Sequence, residues 1–324
     1  MMFTRIPTVL RSQEIIDKAF SKASKVEEPY QPRKEVRIRK EIQDRISSIE
    51  GSTVFYLRKM VKKFPSNDTL HPFYRNLLDL MFDLDQYRIS LSKLDRTASK
   101  IEEFSTQKIR QLKYIPVVAE MNKLMREYYG RVASLIGDLD TDLSFLGRCR
   151  DFMKQVPQIE QDDPTFIIAG MPNVGKSSFL SKITSATPRI AAYPFTTQSI
   201  YIGYLDRDGR RIQVIDTPGI LDRPMADRNT MELNAILALK HIDSIIIFLF
   251  DHSMESIYEP EAQERLFNEI QETMKKKMIR VQSKFDISDD KKETFAISTA
   301  TGTGIDELVN YMLELVKGGS NAAG

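Results

Sequence analysis

The sequence predicts an all-α, elongated helical bundle followed by an α/β domain that has a mostly parallel sheet with one antiparallel edge strand. In the first half of the 324-residue chain, apolar residues recur at alternating intervals of three and four, which is typical of long packed helices. In the second half, short β-branched runs alternate with helical patterns, which is typical of a parallel sheet. A polar, proline-containing stretch at 155–164 interrupts both patterns. We therefore predict a helical domain at 1–160, an α/β domain at 161–317 and a flexible, glycine-rich tail at 318–324.

Three apolar seams define the helical domain. The earliest helix is expected to pause at Gly51 and to stop at Pro65. Residues 26–32, which include two prolines, predict a turn or an extended link before it. Antiparallel packing of the helices would bury all three seams. In chain order, the seams consist of Ile38, Ile42, Ile46, Ile49, Val54, Leu57 and Val61; of Leu84, Tyr87, Leu91, Leu94, Ala98 and Ile101; and of Val132, Leu135, Ile136, Leu139, Leu143 and Leu146.

Six strands are predicted in the α/β domain, near 165–169, 199–205, 211–216, 244–250, 278–282 and 294–298. An Asp-Arg-Asp-Gly turn at 206–209 joins the second and third strands as a hairpin, so one edge of the sheet is antiparallel. In sheets of this kind, ligands bind beyond the carboxyl ends of the parallel strands. We therefore expect the functional residues in the loops that follow those strands.

Charge is distributed unevenly along the chain. Residues 1–160 hold 29 Lys and Arg against 22 Asp and Glu, a balance of +7, whereas residues 161–324 hold 18 against 23, a balance of −5. The excess positive charge lies within residues 1–63, with clusters at 33–40 and 58–63. Basic clusters on a helical face favour contact with a phosphate backbone, here that of RNA. A solvated helix face explains the same pattern, and charge alone does not separate the two interpretations.

Composition argues against several classes of protein. No apolar run approaches the 18 residues that a membrane-spanning helix needs, so we expect no membrane partner. The single cysteine, Cys149, cannot form a disulfide within the chain, and the N-terminus lacks a signal-peptide pattern, so we expect a reducing, cytoplasmic compartment. His71, His241 and His252 lack the spacing of metal ligands, and we assign them no catalytic or metal role.

The most informative motif is Gly-Met-Pro-Asn-Val-Gly-Lys-Ser at 170–177, which follows a predicted strand and precedes a helix. A glycine turn in this setting points backbone N–H groups and the helix dipole at a polyphosphate. Lys176 can reach the β- and γ-phosphates, and the Ser177 hydroxyl can ligate Mg²⁺. The alternative, a chance glycine turn with a surface lysine, is disfavoured by the strand and helix on either side. The predicted nucleotide contacts in this loop are Pro172, Asn173, Val174, Gly175, Lys176, Ser177 and Ser178.

Two further segments follow in the order that a nucleotide-hydrolysing site requires. The third predicted strand ends in Asp-Thr-Pro-Gly, which places Asp216 to hold Mg²⁺ through its water shell and the Gly219 amide to bond the γ-phosphate. Between the two motifs, Tyr-Pro-Phe-Thr-Thr at 193–197 supplies a hydroxyl to close over the metal, and we favour Thr197 over Thr196. Alone, Asp-Thr-Pro-Gly is an ordinary exit from a strand, but its order and spacing favour a nucleotide switch. The predicted metal ligands are Ser177, Thr197 and Asp216.

The Ser-Lys-Phe-Asp segment at 283–286 is predicted to select the base. A carboxylate at Asp286 can accept two hydrogen bonds from guanine, whereas adenine presents an acceptor at one of those positions, at a cost of about 1–3 kcal/mol. The stem of Lys284 would pack along the base, and a later turn would bring its backbone near the guanine carbonyl. We therefore predict a P-loop GTPase domain that binds GTP or GDP with Mg²⁺, and not ATP. The predicted base contacts are Ser283, Lys284, Asp286, Ser298, Thr299 and Ala300.

Together these motifs resemble those of the Obg-related GTPases, and above all the nucleolar GTP-binding protein 1 family. The resemblance also includes Asp-Thr-Pro-Gly-Ile-Leu-Asp at 216–222 and Arg-Asn-Thr-Met-Glu-Leu-Asn at 228–234, and it extends along nearly the whole chain. It implies GTP hydrolysis in the assembly of the large ribosomal subunit. The implied partners are that subunit or its precursor, its rRNA, and ribosomal or assembly proteins. Eukaryotic members carry a long C-terminal extension, and because this sequence stops soon after its last predicted helix, we expect it to resemble the short archaeal form.

Two positions depart from related patterns. The base-reading motif of the family normally begins with Asn, so Ser283, which has less reach, is expected to weaken guanine affinity. In small signalling GTPases a Gln follows the Asp-x-x-Gly glycine and orients the attacking water. An aliphatic Ile220 cannot do this, so hydrolysis needs help from a partner, from another part of the chain or from a cation.

Asn173 is the candidate for the cation. It matches the asparagine with which related GTPases hold K⁺ beside the phosphates; the alternative is a loop residue that tolerates an unusual backbone angle. We expect slow intrinsic turnover that rises with K⁺ or with a ribosomal partner. The predicted catalytic residues are Lys176, Asn173, Thr197 and Gly219.

Two functions remain open at this point. The first is a GTP-hydrolysing assembly factor whose helical domain contacts rRNA. The second is a GTP-dependent signalling module that recruits a protein through the helical seams, with incidental hydrolysis. Salt-sensitive binding to RNA distinguishes the first from the second.

Overall fold

The chain folds into two compact units. A computed structural model describes residues 3–184, 188–193, 199–207, 209–288 and 290–320. The first unit comprises Met1–Leu70 and Met81–Lys154, and the second comprises His71–Leu80 and Gln155–Gly324. The division falls at 154, close to the predicted boundary at 160. The segment His71–Leu80, which the sequence places in the helical domain, packs with the second unit in the structure.

Five long helices form the first unit, and the longest of them packs against three others. The helices are α1 (Ser12–Ser24), α2 (Lys34–Lys63), α4 (Leu84–Leu112), α5 (Val118–Gly137) and α6 (Asp140–Gln155). Helix α2 packs against α1, α4 and α5, and the central residues of each predicted seam, such as Ile46, Leu94 and Val132, are buried. The predicted helical bundle is therefore confirmed.

Two helix boundaries differ from the prediction. Helix α2 continues through Gly51 without a pause, because packing on three sides outweighs the low helix propensity of one glycine. The third seam is shared by two helices, because α5 ends at Gly137 and α6 begins at Asp140. Apolar spacing continues across this break and therefore did not reveal it.

The second unit is built on a seven-stranded sheet of order β2-β3-β4-β1-β5-β6-β7. The strands β1, β4, β5, β6 and β7 run parallel, whereas β3 runs antiparallel to both β2 and β4. All six predicted strands and the β3–β4 hairpin are confirmed. In chain order the strands are β1 (Thr165–Ala169), β2 (Arg189–Ala192), β3 (Ser199–Arg207), β4 (Arg210–Asp216), β5 (Ser244–Asp251), β6 (Met278–Ser283) and β7 (Phe295–Ala296).

Strand β2 was missed by the sequence prediction. It contains only four residues, too few to show a period of two, and it pairs outside β3. Antiparallel pairing is therefore confined to one edge of the sheet, as predicted, but β2 forms the outermost strand.

The described part of the second unit contains five α-helices: α3 (Pro72–Asp79), α7 (Lys176–Ile183), α8 (Thr230–Ala238), α9 (Pro260–Met274) and α10 (Ile305–Ser320). Helix α3 packs against α8, and the Tyr74 hydroxyl donates a hydrogen bond to the Ile159 carbonyl at 3.2 Å while accepting one from the Ile159 amide at 2.8 Å. Helix α10 extends to Ser320, so residues 318–320 are helical and not part of a tail. Residues 321–324 lie outside the described part of the chain.

Across the helices that the structure describes, none is both long and apolar enough to cross a membrane. Cys149 is buried in helix α6, and this burial raises the pKa of its thiol to about 12. The thiol is therefore a packing group of the first unit.

Candidate nucleotide site

The loop at 170–175 joins the central strand β1 to helix α7. Strand β1 is buried along its whole length and pairs with β4 on one side and β5 on the other, so the point at which the loop begins is fixed. Gly170, Asn173 and Gly175 adopt positive φ angles of 134°, 64° and 94°. The predicted strand, glycine loop and helix are therefore confirmed, and the N-terminal turn of α7 begins at Lys176.

Two glycines of this loop are required for different reasons. A Cβ on Gly170 would lie 2.5 Å from the Leu249 carbonyl oxygen in β5, so only glycine fits beside that strand. A Cβ on Gly175 would meet nothing within 4 Å among the described residues, so its left-handed backbone is the constraint there. Asn173 also adopts the left-handed conformation, which is compatible with both interpretations of this residue.

The side chain of Lys176 lies inside the loop. The residue is 6% exposed, and its Nζ donates hydrogen bonds to the carbonyl oxygens of Gly170 at 2.8 Å and Met171 at 2.7 Å. Burial lowers the pKa of Lys176, while the nearby negative charges of Asp222 and Asp216 act in the opposite direction. The loop thus holds a cation where a polyphosphate would enter.

Ser177 and Asp216 form the candidate metal site. The Ser177 Oγ donates to Asp216 Oδ2 at 2.5 Å, and Asp216 is fully buried at the end of β4. Burial raises the pKa of Asp216, and its second oxygen, Oδ1, has no hydrogen-bond partner among the described residues. A buried, unpartnered carboxylate oxygen beside a hydroxyl fits hydrated Mg²⁺, which prefers oxygen ligands and keeps several waters.

Thr197, the third predicted metal ligand, and its alternative Thr196 lie outside the described residues. Elsewhere in the described chain, no group of three or more His, Cys, Asp or Glu could hold a metal ion. His71 caps helix α3 by accepting from the Phe73 amide, and His252 Nε2 lies 3.1 Å from Glu293 Oε1. Both histidines therefore have structural contacts.

The segment after β4 turns sharply at Gly219, whose φ is 69°. The Thr217 Oγ1 donates to the Ile168 carbonyl at 3.0 Å, which ties this turn to β1. Ile220 is fully buried, and its side chain has no polar group, so it cannot orient a water molecule in the site. The Gly219 amide donates to Asp222 Oδ2 at 2.6 Å, and Arg228 Nη1 donates to the Gly219 carbonyl at 2.9 Å.

Asp222 and Arg228 were present in the motifs but were given no role from the sequence. Ionised residues in a loop are usually exposed, so only tertiary structure shows that both are buried. The available signal was a pair of opposite charges, six positions apart, between a switch glycine and a helix start.

The base-reading segment follows β6. Its Ser283 is buried, and the Ser283 Oγ donates to the Phe250 carbonyl at 3.0 Å. Lys284 adopts a left-handed φ of 51°, and its Nζ donates to Asp251 Oδ2 at 2.6 Å. Asp286 lies exposed in a short 3₁₀ turn. Asp251, the last residue of β5, was missed by the sequence analysis; its position at the carboxyl end of a parallel strand was the available signal.

The turn after β7 lies beside the base-reading segment, because the Phe285 amide donates to the Ile297 carbonyl at 3.0 Å. The Ser298 amide donates to the Thr303 carbonyl at 3.0 Å, and its Oγ accepts from the Thr301 amide at 3.1 Å. Ser298 therefore shapes the turn, and its amide is already used within it. Thr299 and Ala300 lie on the part of the turn that follows.

Comparison with known proteins identifies the family to which this architecture belongs. Residues 3–160 match a family model described as the NOG1 N-terminal helical domain, and residues 165–284 match one described as a 50S ribosome-binding GTPase. Nucleolar GTP-binding protein 1 of Encephalitozoon cuniculi is 34% identical over 290 residues. An uncharacterized protein of Methanocaldococcus jannaschii is 31% identical over 293 residues, which cover 90% of this chain and 82% of that protein. The chain belongs to the nucleolar GTP-binding protein 1 family.

Membership of the nucleolar GTP-binding protein 1 family confirms the resemblance seen in the motifs and the predicted order of a helical domain and a GTPase domain. The E. cuniculi alignment covers 88% of this chain and 54% of its relative, so the chain spans about half the length of that curated family member. A crystal structure of a Plasmodium falciparum protein described as nucleolar GTP-binding protein 1 is 31% identical. The match covers 52% of this chain and 93% of the P. falciparum chain, with a TM-score of 0.46.

Proposed function

We propose that this chain binds GTP and GDP with Mg²⁺, hydrolyses GTP, and acts in assembly of the large ribosomal subunit through rRNA contacts of its helical unit. The observation that supports the nucleotide part is the buried Lys176 inside a glycine loop, followed directly by Ser177, which bonds Asp216. The ribosomal part rests on the match to the family described as a 50S ribosome-binding GTPase and on the similarity to nucleolar GTP-binding protein 1 of other organisms. The cytoplasmic location expected from the sequence is part of this proposal.

Each part of the site has a proposed role in binding the phosphates. Lys176 would exchange its two loop carbonyls for phosphate oxygens, and the backbone amides of 172–178 would hold the phosphates. Ser177, Asp216 and Thr197 would hold Mg²⁺, and the Gly219 amide would bond the γ-phosphate. When bound, Mg²⁺ neutralises the charge that develops on the phosphate oxygens.

For the base, the exposed carboxylate of Asp286 would accept two hydrogen bonds from guanine. The stem of Lys284 would lie along the base, since Asp251 already fixes its ammonium group. The amides of Thr299 and Ala300 are the proposed donors to the guanine carbonyl, because that of Ser298 is used within its own turn.

The Ser283→Asn variant is expected to bind GDP about fivefold more tightly, which corresponds to about 1 kcal/mol for one added hydrogen bond. Ser283 uses its hydroxyl on the Phe250 carbonyl, so it has no second group for the base or the phosphate loop. Isothermal calorimetry with GDP measures the difference. Equal affinities of the two proteins would contradict the expectation.

Hydrolysis is expected to be slow in Na⁺ and faster in K⁺. Asn173 is exposed in the phosphate loop, where a carbonyl oxygen can coordinate a monovalent cation, and fully buried Ile220 offers no polar group to orient water. The Asn173→Gly variant keeps the left-handed backbone and removes the ligand, so it should lose the difference between K⁺ and Na⁺. Phosphate release in the two salts at equal ionic strength tests this; equal wild-type rates would exclude the cation.

A basic and aromatic surface on helix α2 supports the proposed RNA contact. Phe55 is 69% exposed, and the Lys59 Nζ lies 5.9 Å from its ring centre. Beside this ring is an open cavity of about 450 Å³, whose lining includes Arg58, Lys59, Lys62 and Lys63 together with Glu50 and Glu102. Arg58 pairs with Glu102, so the three lysines are the cations proposed for phosphate contact. An exposed ring next to several cations suits an unstacked base flanked by phosphates.

Replacing Lys59, Lys62 and Lys63 with Gln is expected to weaken binding to large-subunit rRNA and to make it less sensitive to salt. Each lost phosphate contact lowers the slope of log affinity against log salt by about 0.7 to 0.9. A matched control replaces three exposed lysines elsewhere in the first unit, Lys100, Lys113 and Lys123, with Gln.

Filter binding at several salt concentrations measures both slopes. Equal slopes for the two triple variants would remove the α2 surface from the proposal. Wild-type binding that does not respond to salt would favour the protein-recruiting module over the RNA-binding factor. Sedimentation with 50S-type particles, compared between GDP and a non-hydrolysable GTP analogue, then tests the link to the ribosome.

A further inference from the structure

Two ionisable side chains outside the proposed nucleotide contacts are buried beside Gly219. Asp222 is 7% exposed, and the side chain of Arg228 is fully enclosed. Burying an ion is costly unless strong partners compensate, so the position of each needs an explanation. Both side chains bind the backbone of Gly219, one through its amide and the other through its carbonyl.

The carboxylate of Asp222 occupies the Gly219 amide. The distance from the Gly219 nitrogen to Asp222 Oδ2 is 2.6 Å, which is typical of a charge-assisted hydrogen bond. This amide is the group proposed to bond the γ-phosphate. A single N–H cannot donate fully to two anionic acceptors, so the carboxylate and the γ-phosphate compete for it.

Asp222 also acts on Lys176, the second group proposed to bind the γ-phosphate. Its negative charge acts on Lys176 against the fall in pKa that burial causes, and it does so ahead of Asp216. Asp222 thus bonds the amide that the γ-phosphate would use, and its charge acts on the cation that the γ-phosphate would use. The carboxylate occupies part of the role proposed for that phosphate.

Arg228 holds the same turn from its other side. Nη1 donates to the Gly219 carbonyl at 2.9 Å, Nη2 donates to the Arg223 carbonyl at 3.4 Å, and Nη2 lies 3.7 Å from Asp222 Oδ1. Its Nε has no hydrogen-bond partner in the described part of the chain. The guanidinium therefore bridges the turn and the carboxylate, which keeps Asp222 close to the amide.

We propose that Asp222 is an internal competitor for the γ-phosphate position, which occupies the Gly219 amide in the nucleotide-free and GDP-bound protein and leaves it when GTP binds. This inference rests on the proposed GTP binding and adds a residue that sets the preference between the two nucleotides. GDP has no γ-phosphate, so it leaves the contact intact. GTP binding breaks the contact and brings two negative groups together, so Asp222 lowers the affinity for GTP alone.

The Asp222→Asn variant tests the proposal, because it keeps the shape of the side chain and removes its charge. We expect a non-hydrolysable GTP analogue to bind the full-length variant about tenfold more tightly than the wild type, while the affinity for GDP changes less than about twofold. Glu232→Gln is the matched control. It removes a charge from the same segment, where Glu232 pairs with Arg223 at 3.5 Å, and should change neither affinity.

The outcomes separate this inference from the proposed function. Equal changes in the two affinities, or no change in either, would overturn the role of Asp222. A loss of thermal stability with an unchanged ratio of affinities would also overturn it, since a purely structural role produces that result. Failure of the wild-type protein to bind either nucleotide would instead remove the GTPase proposal itself.

A second measurement needs no variant. Pro218–Gly219 is the only Pro–Gly pair in the sequence, so labelling with ¹³C-carbonyl proline and ¹⁵N-glycine gives one amide signal for this position. A short bond to a carboxylate shifts an amide proton downfield. We expect a downfield signal without nucleotide and with GDP, and a different position with the GTP analogue. A signal that responds equally to both nucleotides would contradict the exchange of partners.

Discussion

Replacing Lys176 with Met is expected to lower GTP hydrolysis by at least about a hundredfold, the range seen when one donor to transition-state charge is removed. The side chain is buried, and its Nζ is the group that would leave the Gly170 and Met171 carbonyls for the phosphates. Met keeps the apolar stem and the packing but supplies no donor. Single-turnover phosphate release measures the loss.

Lys182→Met is the matched control for this variant, because Lys182 is exposed in the last turn of the same helix, α7. It should hydrolyse GTP at the wild-type rate. A Lys176→Met protein that keeps more than about a third of the wild-type rate would show that the loop cation does not act on the phosphates, since such a loss is worth less than about 1 kcal/mol.

Gly170→Ala is expected to lower the free energy of unfolding of the second unit by about 3–5 kcal/mol and to abolish nucleotide binding. The added Cβ would lie 2.5 Å from the Leu249 carbonyl oxygen and 3.3 Å from the Leu249 nitrogen, and the backbone φ of 134° is itself unfavourable for Ala. These are backbone atoms of β5, the neighbour of the central strand, so they cannot move as a side chain would. Urea-induced unfolding monitored by circular dichroism gives the stability.

The control for backbone strain alone is Gly209→Ala. Gly209 has a positive φ of 71°, but a Cβ there would meet no described atom within 4 Å. It should therefore cost only the conformational penalty, about 1–2 kcal/mol. Equal losses in the two variants would show that the approach of the phosphate loop to β5 contributes nothing.

Local sequence predicted the features of the site that depend on local chemistry. The buried strand β1, the loop glycines and Asp216 all lie within short segments whose residue types have few other uses. The same holds for Lys284 and Asp286, which follow directly from the end of β6. Their positions along the sheet then follow from the rule that parallel strands place their carboxyl ends together.

Features that depend on distant contacts were not predictable in this way. The burial of Asp222 and Arg228 depends on how one loop folds over Gly219, and no period in the sequence encodes it. The continuation of α2 through Gly51 depends on neighbours from three other helices. Strand β2 forms by pairing with the free edge of β3, and its four residues are too few to show an alternating apolar pattern in the sequence.

The connectivity of helix α3 limits how this protein can be divided. The polypeptide passes between its two compact units three times, at 70/71, 80/81 and 154/155. A fragment that starts at 161 would lack α3, the contacts of α3 with α8, and both hydrogen bonds between Tyr74 and Ile159. Nucleotide affinities measured on such a truncation would therefore describe a second unit without these contacts. During synthesis, α3 leaves the ribosome some eighty residues before the remainder of the second unit begins to emerge. The second unit can therefore complete its fold only by packing against a helix made earlier.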